Sequence, residues 1–222
     1  MTKVLILGGH GKVALLLAPL LVERGDEVTS VFRNPAQEAE VAATGARPVR
    51  ADIEKLDVTG LTDLLRGQDA VVWSAGAGGG DPSRTYAVDR DAAIRSMDAA
   101  VAAGVPRYVM VSYLGSRPDH GVPPDNRFFA YAEAKAAADE YLRATSLAAT
   151  VLGPGRLTLD EPTGRIDIVT PDDQGDSATT RSDVAAVVAA TLLEDSTVGR
   201  TIGFRNGATP IAEALRGSAE WS

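Results

Sequence analysis

An apolar strand runs into a glycine loop and then into a helix: Lys3-Val4-Leu5-Ile6-Leu7, Gly8-Gly9-His10-Gly11, Lys12-Val13-Ala14-Leu15-Leu16. No other stretch of the 222 residues restricts the fold as strongly. Glycines let the main chain turn tightly and come close to a neighbouring group. The helix that follows aims unpaired N–H groups and the positive end of its dipole at whatever lies over the loop. An anion site therefore forms from backbone alone. Read from Gly9 the spacing is G-x-G-x-x-A, and from Gly8 it is G-x-x-G-x-x-A, with Ala14 as the small residue that lets helix and strand pack closely. Between an apolar strand and an amphipathic helix this is the dinucleotide-binding fingerprint. It places Gly8, Gly9, His10, Gly11, Lys12 and Val13 around a pyrophosphate. His10 contributes there through its backbone N–H more than through its ring, and Lys12 is either a second positive charge near the phosphates or a solvated lysine.

Strand and helix patterns then alternate, which is the signature of βαβ units and a parallel sheet. Strands are expected at Val4–Leu7, Glu27–Phe32, Arg47–Arg50, Ala70–Trp73, Arg107–Val111, Thr150–Leu152 and Thr201–Phe204. Helices are expected at Lys12–Glu23, Ala36–Ala43, Thr59–Leu65, Tyr86–Ala103, Phe129–Thr145 and Ser182–Glu194, with a short one from Pro210 to Leu215. The fold class is α/β: a single doubly wound domain over 1–222, with a mainly parallel Rossmann sheet and helices on both faces. The least regular parts, near 76–85, 115–127 and 157–180, follow strands and are expected to face a small-molecule substrate.

Acidic residues outnumber basic ones by 30 to 22, for a formal charge of −8, and this argues against a nucleic-acid surface. There is no cysteine and there are only two histidines, so thiolate chemistry is excluded and no metal site is expected. No apolar run is long enough to span a bilayer. Lys3 before an apolar stretch resembles a signal peptide, but Lys12 interrupts the run and no A-x-A site follows. A cytoplasmic location is the default expectation. Either a monomer or a homodimer fits the composition.

The second strand ends Val31-Phe32-Arg33-Asn34-Pro35. An acid at this place would bind the adenosine ribose 2′-hydroxyl and select NAD. Arg33 stands there instead, with Asn34 beside it. A guanidinium can hold a 2′-phosphate through two charge-assisted bonds, which points to NADP(H); the alternative is an ordinary surface arginine. After the third strand, Asp52 and Ile53 abut the adenine position, where Asp52 either accepts from the exocyclic amine or caps a turn. After the fourth, Ser74, Ala75 and Gly76 are small enough for the backbone to pass under a cofactor. In Tyr131-Ala132-Glu133-Ala134-Lys135 the Tyr and Lys stand at i and i+4 on one helix face. A phenol with a pKa near 10, beside an ammonium and an oxidised nicotinamide, becomes a usable acid/base. His120 reads as a solvated loop residue, and Arg181-Ser182-Asp183 as the N-cap of the helix that follows.

On these residues, together with Val109-Met110-Val111-Ser112 and Leu152-Gly153-Pro154-Gly155, the chain resembles the short-chain dehydrogenase/reductase superfamily. It is most similar to the atypical NAD(P)H-binding branch, which includes epimerase-like and flavin/biliverdin-reductase-like proteins. The resemblance implies an NADPH-dependent oxidoreductase. Tyr131 would be proton donor or acceptor, Lys135 would bind the nicotinamide ribose and lower the Tyr131 pKa, and Ser112 would orient the substrate oxygen. Pro154 and Gly155 would shape the nicotinamide pocket. Three departures stand against a direct transfer. Tyr113 fills the place of a second serine, so that Ser112, Ser116 or neither serves; Asp89 fills that of an asparagine; and the C-terminal part is short. They leave open a sensor with little turnover, and an epimerase.

Overall fold

The computed structural model describes residues 1–170, 172–173 and 178–217. Strand β1 (Lys3–Leu7) leads through the glycine loop into helix α1 (Lys12–Glu23). There follow β2 (Glu27–Phe32), α2 (Glu38–Ala43), β3 (Arg47–Arg50), α3 (Val58–Leu65) and β4 (Ala70–Trp73). Next come α4 (Pro82–Thr85), a π-helical stretch Tyr86–Ala92, α5 (Ala93–Ala103), β5 (Arg107–Val111), α6 (Phe129–Arg143) and β6 (Ala148–Pro154). The C-terminal part holds β7 (Leu157–Thr158), β8 (Arg165–Ile168), β9 (Thr179–Thr180), α7 (Arg181–Thr191), β10 (Arg200–Asn206), β11 (Thr209–Pro210) and α8 (Ile211–Gly217).

The main sheet has the order β11-β8-β10-β6-β5-β4-β1-β2-β3. From β3 to β10 every pairing is parallel; β8 and β11 add an antiparallel edge. The period of two along β1 splits its side chains between two cores. Val4 and Ile6 pack with α1 and α7 on one face, while Leu5 and Leu7 pack with α3, α5 and α6 on the other. All four are fully buried. This explains why β1 reads as an unbroken apolar run rather than an alternating one.

Strand order reverses between β1 and β4, and a doubly wound sheet opens its ligand crevice at such a point. The loops that leave these two strands touch there. Gly8 has φ +89°, and a Cβ on it would lie 2.6 Å from the Ala75 Cα. A Cβ on Gly9 would lie 2.7 Å from that of Ser30 on β2, so Gly9 is needed for packing under the loop.

Three expectations are corrected. The helix expected from Tyr86 starts earlier, with Asp81 capping α4 through Ser83 N, and passes through the π-helical stretch before α5. The segment 157–180 is not simply irregular. Leu157 pairs with Thr179 and Thr158 with Thr180 in a two-stranded ribbon, while β8 joins the main sheet; positions 171 and 174–177 lie outside the described residues. Two-residue strands carry no periodicity of their own, and the four residues of β8 include the charged Arg165 and Asp167. Finally, α7 is capped by Thr180, which accepts from Asp183 N at 3.0 Å. Asp183 turns inward and accepts from Thr163 N, Gly164 N and the Thr163 hydroxyl, with Asn206 as a further donor.

Candidate active site

Two adjoining cavities lie along the crevice and share Gly11, Ser74, Ala75 and Gly76 as walls. The first, of about 230 Å³, is walled by Gly8, His10, Arg33, Asp52, Ile53, Glu54 and Arg84, among others. The second, of about 280 Å³, is walled by Lys12, Val13, Asp89, Val111, Ser112, Tyr131, Leu157 and Arg181. The glycine loop thus sits at the middle of one elongated cleft. Gly11 is the N-cap of α1 and offers no side-chain bond to the first turn, so its N–H groups remain available to an anion. The unpartnered first turn and the Cβ-free cradle of Gly8 and Gly11 together fit a pyrophosphate. A Cβ on Gly11 would come within 3.1 Å of Gly8 O and 3.3 Å of Ser74 O, where the two cavities adjoin. Gly11→Val is therefore expected to abolish NAD(P)H binding and keep the fold. Circular dichroism and a cofactor titration on one sample check this, and retained affinity would place the phosphates elsewhere.

In the first cavity Arg33 does not stand clear of acids. Its Nη1 is 3.3 Å from Glu54 Oε2, and Arg84 Nε approaches the same oxygen at 3.5 Å. Arg84 is also anchored by Nη1 to Ala77 O at 2.5 Å. Two guanidinium groups from distant parts of the chain thus converge on one carboxylate. The sequence offers no signal for Arg84, which reaches the cavity from α4. Asp52 lines the cavity and also accepts from Glu54 N at 3.3 Å, so it serves the turn it was alternatively expected to cap. His10 lines the wall with its ring bonded to Glu40 at 2.6 Å. Asn34 is not in the wall, because its carboxamide oxygen caps the short turn that follows through Ala36 N.

In the second cavity Ser112 and Tyr131 share a wall, as the resemblance implies. Lys135 departs from that expectation. It is 1 % exposed, and its ammonium donates to Val111 O at 2.9 Å and to Met110 Sδ at 3.3 Å. Among the described residues no hydrogen bond joins it to Tyr131. Its charge is instead set against Asp89 and Asp139, both buried. Burial pushes its pKa down, and the two carboxylates oppose that shift. Burial likewise raises the carboxyl pKa of Asp89 and Asp139, with Lys135 pulling both back. Asp89 accepts from Ala77 N at 2.9 Å, and the π-helical stretch that carries it is a widening often found at functional sites.

Asp139, absent from the sequence expectations, organises both candidate serines. Its Oδ2 accepts from Ser112 Oγ and Ser116 Oγ, each at 2.5 Å. Its Oδ1 is buried with no hydrogen-bond partner. It follows Lys135 by four residues, and that i+4 spacing on α6 was the one available clue. The Tyr131 pKa is raised: first by burial, then by the charges of Asp89 and Asp139 and by Tyr113. The phenolate expected from a neighbouring ammonium is therefore disfavoured, because Lys135 bonds the sheet while two carboxylates act on the phenol. The rings of Tyr113 and Phe128 lie 5.5 Å and 5.2 Å from that of Tyr131 and form its apolar surround. Pro154 and Gly155 do not line the cleft. Pro154 is still paired in β6, and Gly155 N donates to Phe204 O at 2.9 Å, so Leu157 and Arg181 take that edge.

Residues 8–195 match the family model described as NAD(P)H-binding. An uncharacterized sugar epimerase of Bacillus subtilis (strain 168), YhfK, is 33% identical over 96% of this chain and 99% of its own length. The structure of a Bacillus halodurans protein named as an NAD-dependent epimerase/dehydratase is 33% identical, covers 97% of this chain and 99% of its own, and superposes with a TM-score of 0.89. The oxidoreductase ylbE of Lactococcus lactis is 29% identical over 96% and 95% of the two chains, with a TM-score of 0.84. No helix among the described residues is long and apolar enough to cross a membrane.

Proposed function

The chain belongs to the NAD(P)H-binding family, and on that premise we propose that it is an NADPH-dependent oxidoreductase of the short-chain dehydrogenase/reductase type that reduces a small carbonyl or planar redox acceptor. The observation that carries this reading is the phenol of Tyr131, held in its protonated form, in one cleft wall with Ser112. NADPH, when bound, supplies the hydride. The first turn of α1 and the Gly8–Gly11 cradle hold the pyrophosphate, and Arg33 with Arg84 grips the 2′-phosphate. Tyr131 Oη gives its proton to the acceptor oxygen and regains one from solvent. Ser112 aligns that oxygen, with Asp139 fixing its rotamer. Lys135 fixes the β5 end through Val111 and balances the two buried carboxylates.

Direction follows from the same surroundings. Reduction needs a proton donor at Tyr131. The epimerase named for the Bacillus subtilis relative would first oxidise an alcohol, which calls for a phenolate that burial, and after it Asp89 and Asp139, disfavours. A second reading, a sensor with little turnover, draws on one observation: Ser112 donates its hydroxyl proton to Asp139 rather than holding it free for an acceptor. NADPH oxidation across a panel of carbonyls, quinones and flavins tests the proposal. Tight NADPH binding with no oxidation on any acceptor would favour the sensor.

Cofactor choice is separately testable. NADPH is expected to bind more tightly than NADH, and Arg33→Ala to remove most of the difference. A charge-assisted bond is worth roughly 1.5–3 kcal/mol, so the loss is about ten- to a hundredfold. Glu54 competes for both arginines, so Glu54→Gln is expected to strengthen NADPH binding further. Fluorescence titration of both cofactors decides the matter; equal affinities in the unaltered protein would overturn the assignment.

A further inference from the structure

Arg181 enters the second cavity without an acidic partner. Its Nη1 donates to Thr158 O at 2.8 Å, and among the described residues no carboxylate pairs with it. The arginines of the adjoining cavity differ in this. Arg33 and Arg84 both meet Glu54, and in the chain as a whole acids outnumber bases by 30 to 22. Lys12, the other cation of this wall, also has no ion-pair partner among the described residues. The ribbon of β7 and β9 accounts for the placement. It ties Thr158 to Thr180, so the residue that starts α7 projects at the same edge as Leu157. One bond to a strand carbonyl holds the guanidinium and leaves Nε–H and the Nη2 hydrogens free, a fork suited to a carboxylate. Asp89, the one acid of this wall among the described residues, is already engaged: it accepts from Ala77 N and feels the Lys135 charge.

We propose that Arg181 is a substrate-binding residue that receives the carboxylate of a 2-oxo-acid-like acceptor, while the adjacent carbonyl meets Tyr131 and Ser112 in the same wall. The proposal rests on the reductase reading given above and narrows its substrate class. An overall charge of −8 repels small anions, so an anionic acceptor needs such a local cation to be held. In the step, the acceptor's carbonyl carbon takes the hydride of NADPH and its oxygen takes the Tyr131 proton. The products are the 2-hydroxy acid and NADP⁺, and solvent returns the proton to the phenol.

The test compares phenylglyoxylate with its methyl ester, which share the aryl ketone and differ in the carboxylate charge; the ester's ketone is intrinsically the more electrophilic, so a preference for the acid is not an effect of reactivity. With NADPH, kcat/KM for the acid should exceed that for the ester by about ten- to a hundredfold, the worth of a charge-assisted fork. Arg181→Gln should bring the ratio close to one, chiefly by raising KM for the acid, and Arg181→Lys should keep part of it. Thermal melts followed by circular dichroism confirm that both variants are folded. The proposal is overturned by an ester preference in the unaltered protein or by an Arg181→Gln ratio that stays put. An Arg181→Gln loss of NADPH affinity as large as the loss on the acid would also overturn it, since the guanidinium would then serve the cofactor. If neither probe is turned over, the reductase reading fails on these acceptors and the anion site is read by binding instead. Phenylglyoxylate titrated into the NADPH complex should bind the unaltered protein and not Arg181→Gln; absence of binding to the unaltered protein would sink the site.

Discussion

Replacing Tyr131 by Phe is expected to lower carbonyl reduction by about 10²–10⁴-fold, the usual worth of a positioned acid. NADPH affinity should barely change, because the phenol wall adjoins the glycine loop without contributing to the pyrophosphate cradle. The ring itself is retained against Tyr113 and Phe128, so the fold is not the variable. The alkaline limb of the pH–rate profile gives an independent reading. Burial and the neighbouring carboxylates hold the phenol above its ordinary value, so no tyrosine break should appear below roughly pH 10. NADPH oxidation with the best acceptor found, measured for both proteins across pH, checks both statements. Full carbonyl turnover in Tyr131→Phe would show that the proton comes from elsewhere, and an acceptor of flavin type, protonated from solvent, would then be the better substrate.

Lys135→Met is expected to destabilise the fold by about 3–5 kcal/mol at neutral pH, the cost of leaving buried charge without its partner. The side chain is fully enclosed, and the stem of Met fills most of the same space. What is lost is the ammonium between Asp89 and Asp139, which opposes the rise that burial imposes on both carboxyls. Without it their folded pKa values move further above the unfolded ones. A carboxyl raised in the folded state costs nothing at acid pH, where it is protonated both folded and unfolded. It costs more as pH climbs through the ordinary carboxylate range and levels off above the raised value. The difference in stability between variant and parent should therefore be small near pH 4 and large near neutrality. Urea titrations at a series of pH values check this. A penalty independent of pH would mean that Lys135 matters only through Val111 and Met110.

The parts of this molecule legible in its sequence share one property: they depend on residues close together in the chain. The glycine loop needs only Gly8 to Ala14 and the strand before them, because main-chain geometry and the first turn of α1 make the anion site. Four of the seven expected strands, β2 to β5, have the expected bounds, and β1, β6 and β10 only extend further. Strands buried on both faces announce themselves as apolar runs. The failures at β7, β9 and β11 concern two-residue strands, too short to carry a period, and β8, with Arg165 and Asp167 at alternate positions, lacks the apolar run that marks β4. The cap of α7 was missed by three residues because Thr180 and Asp183 are both good capping types; the contacts of Asp183 to Thr163, Gly164 and Asn206 decided which one turned inward.

The sequence by itself determined the doubly wound order, the glycine loop that opens α1 and the presence of Tyr131 and Ser112 at the ends of neighbouring elements, because periodicity and backbone sterics act locally. Only the tertiary structure decided what charges those groups feel. Glu54 lies against Arg33 and Arg84 because the end of β3 and α4 meet over the first cavity. Lys135 bonds the β5 carbonyl rather than supporting a phenolate, and Asp139 accepts hydrogen bonds from both serine hydroxyls, because α6 lies against β5 with these side chains turned into the core. Arg181 reaches the cleft through a ribbon that pairs residues more than twenty positions apart. Protonation and charge pairing follow from burial and from partners distant along the chain, and those exist only once the chain has folded.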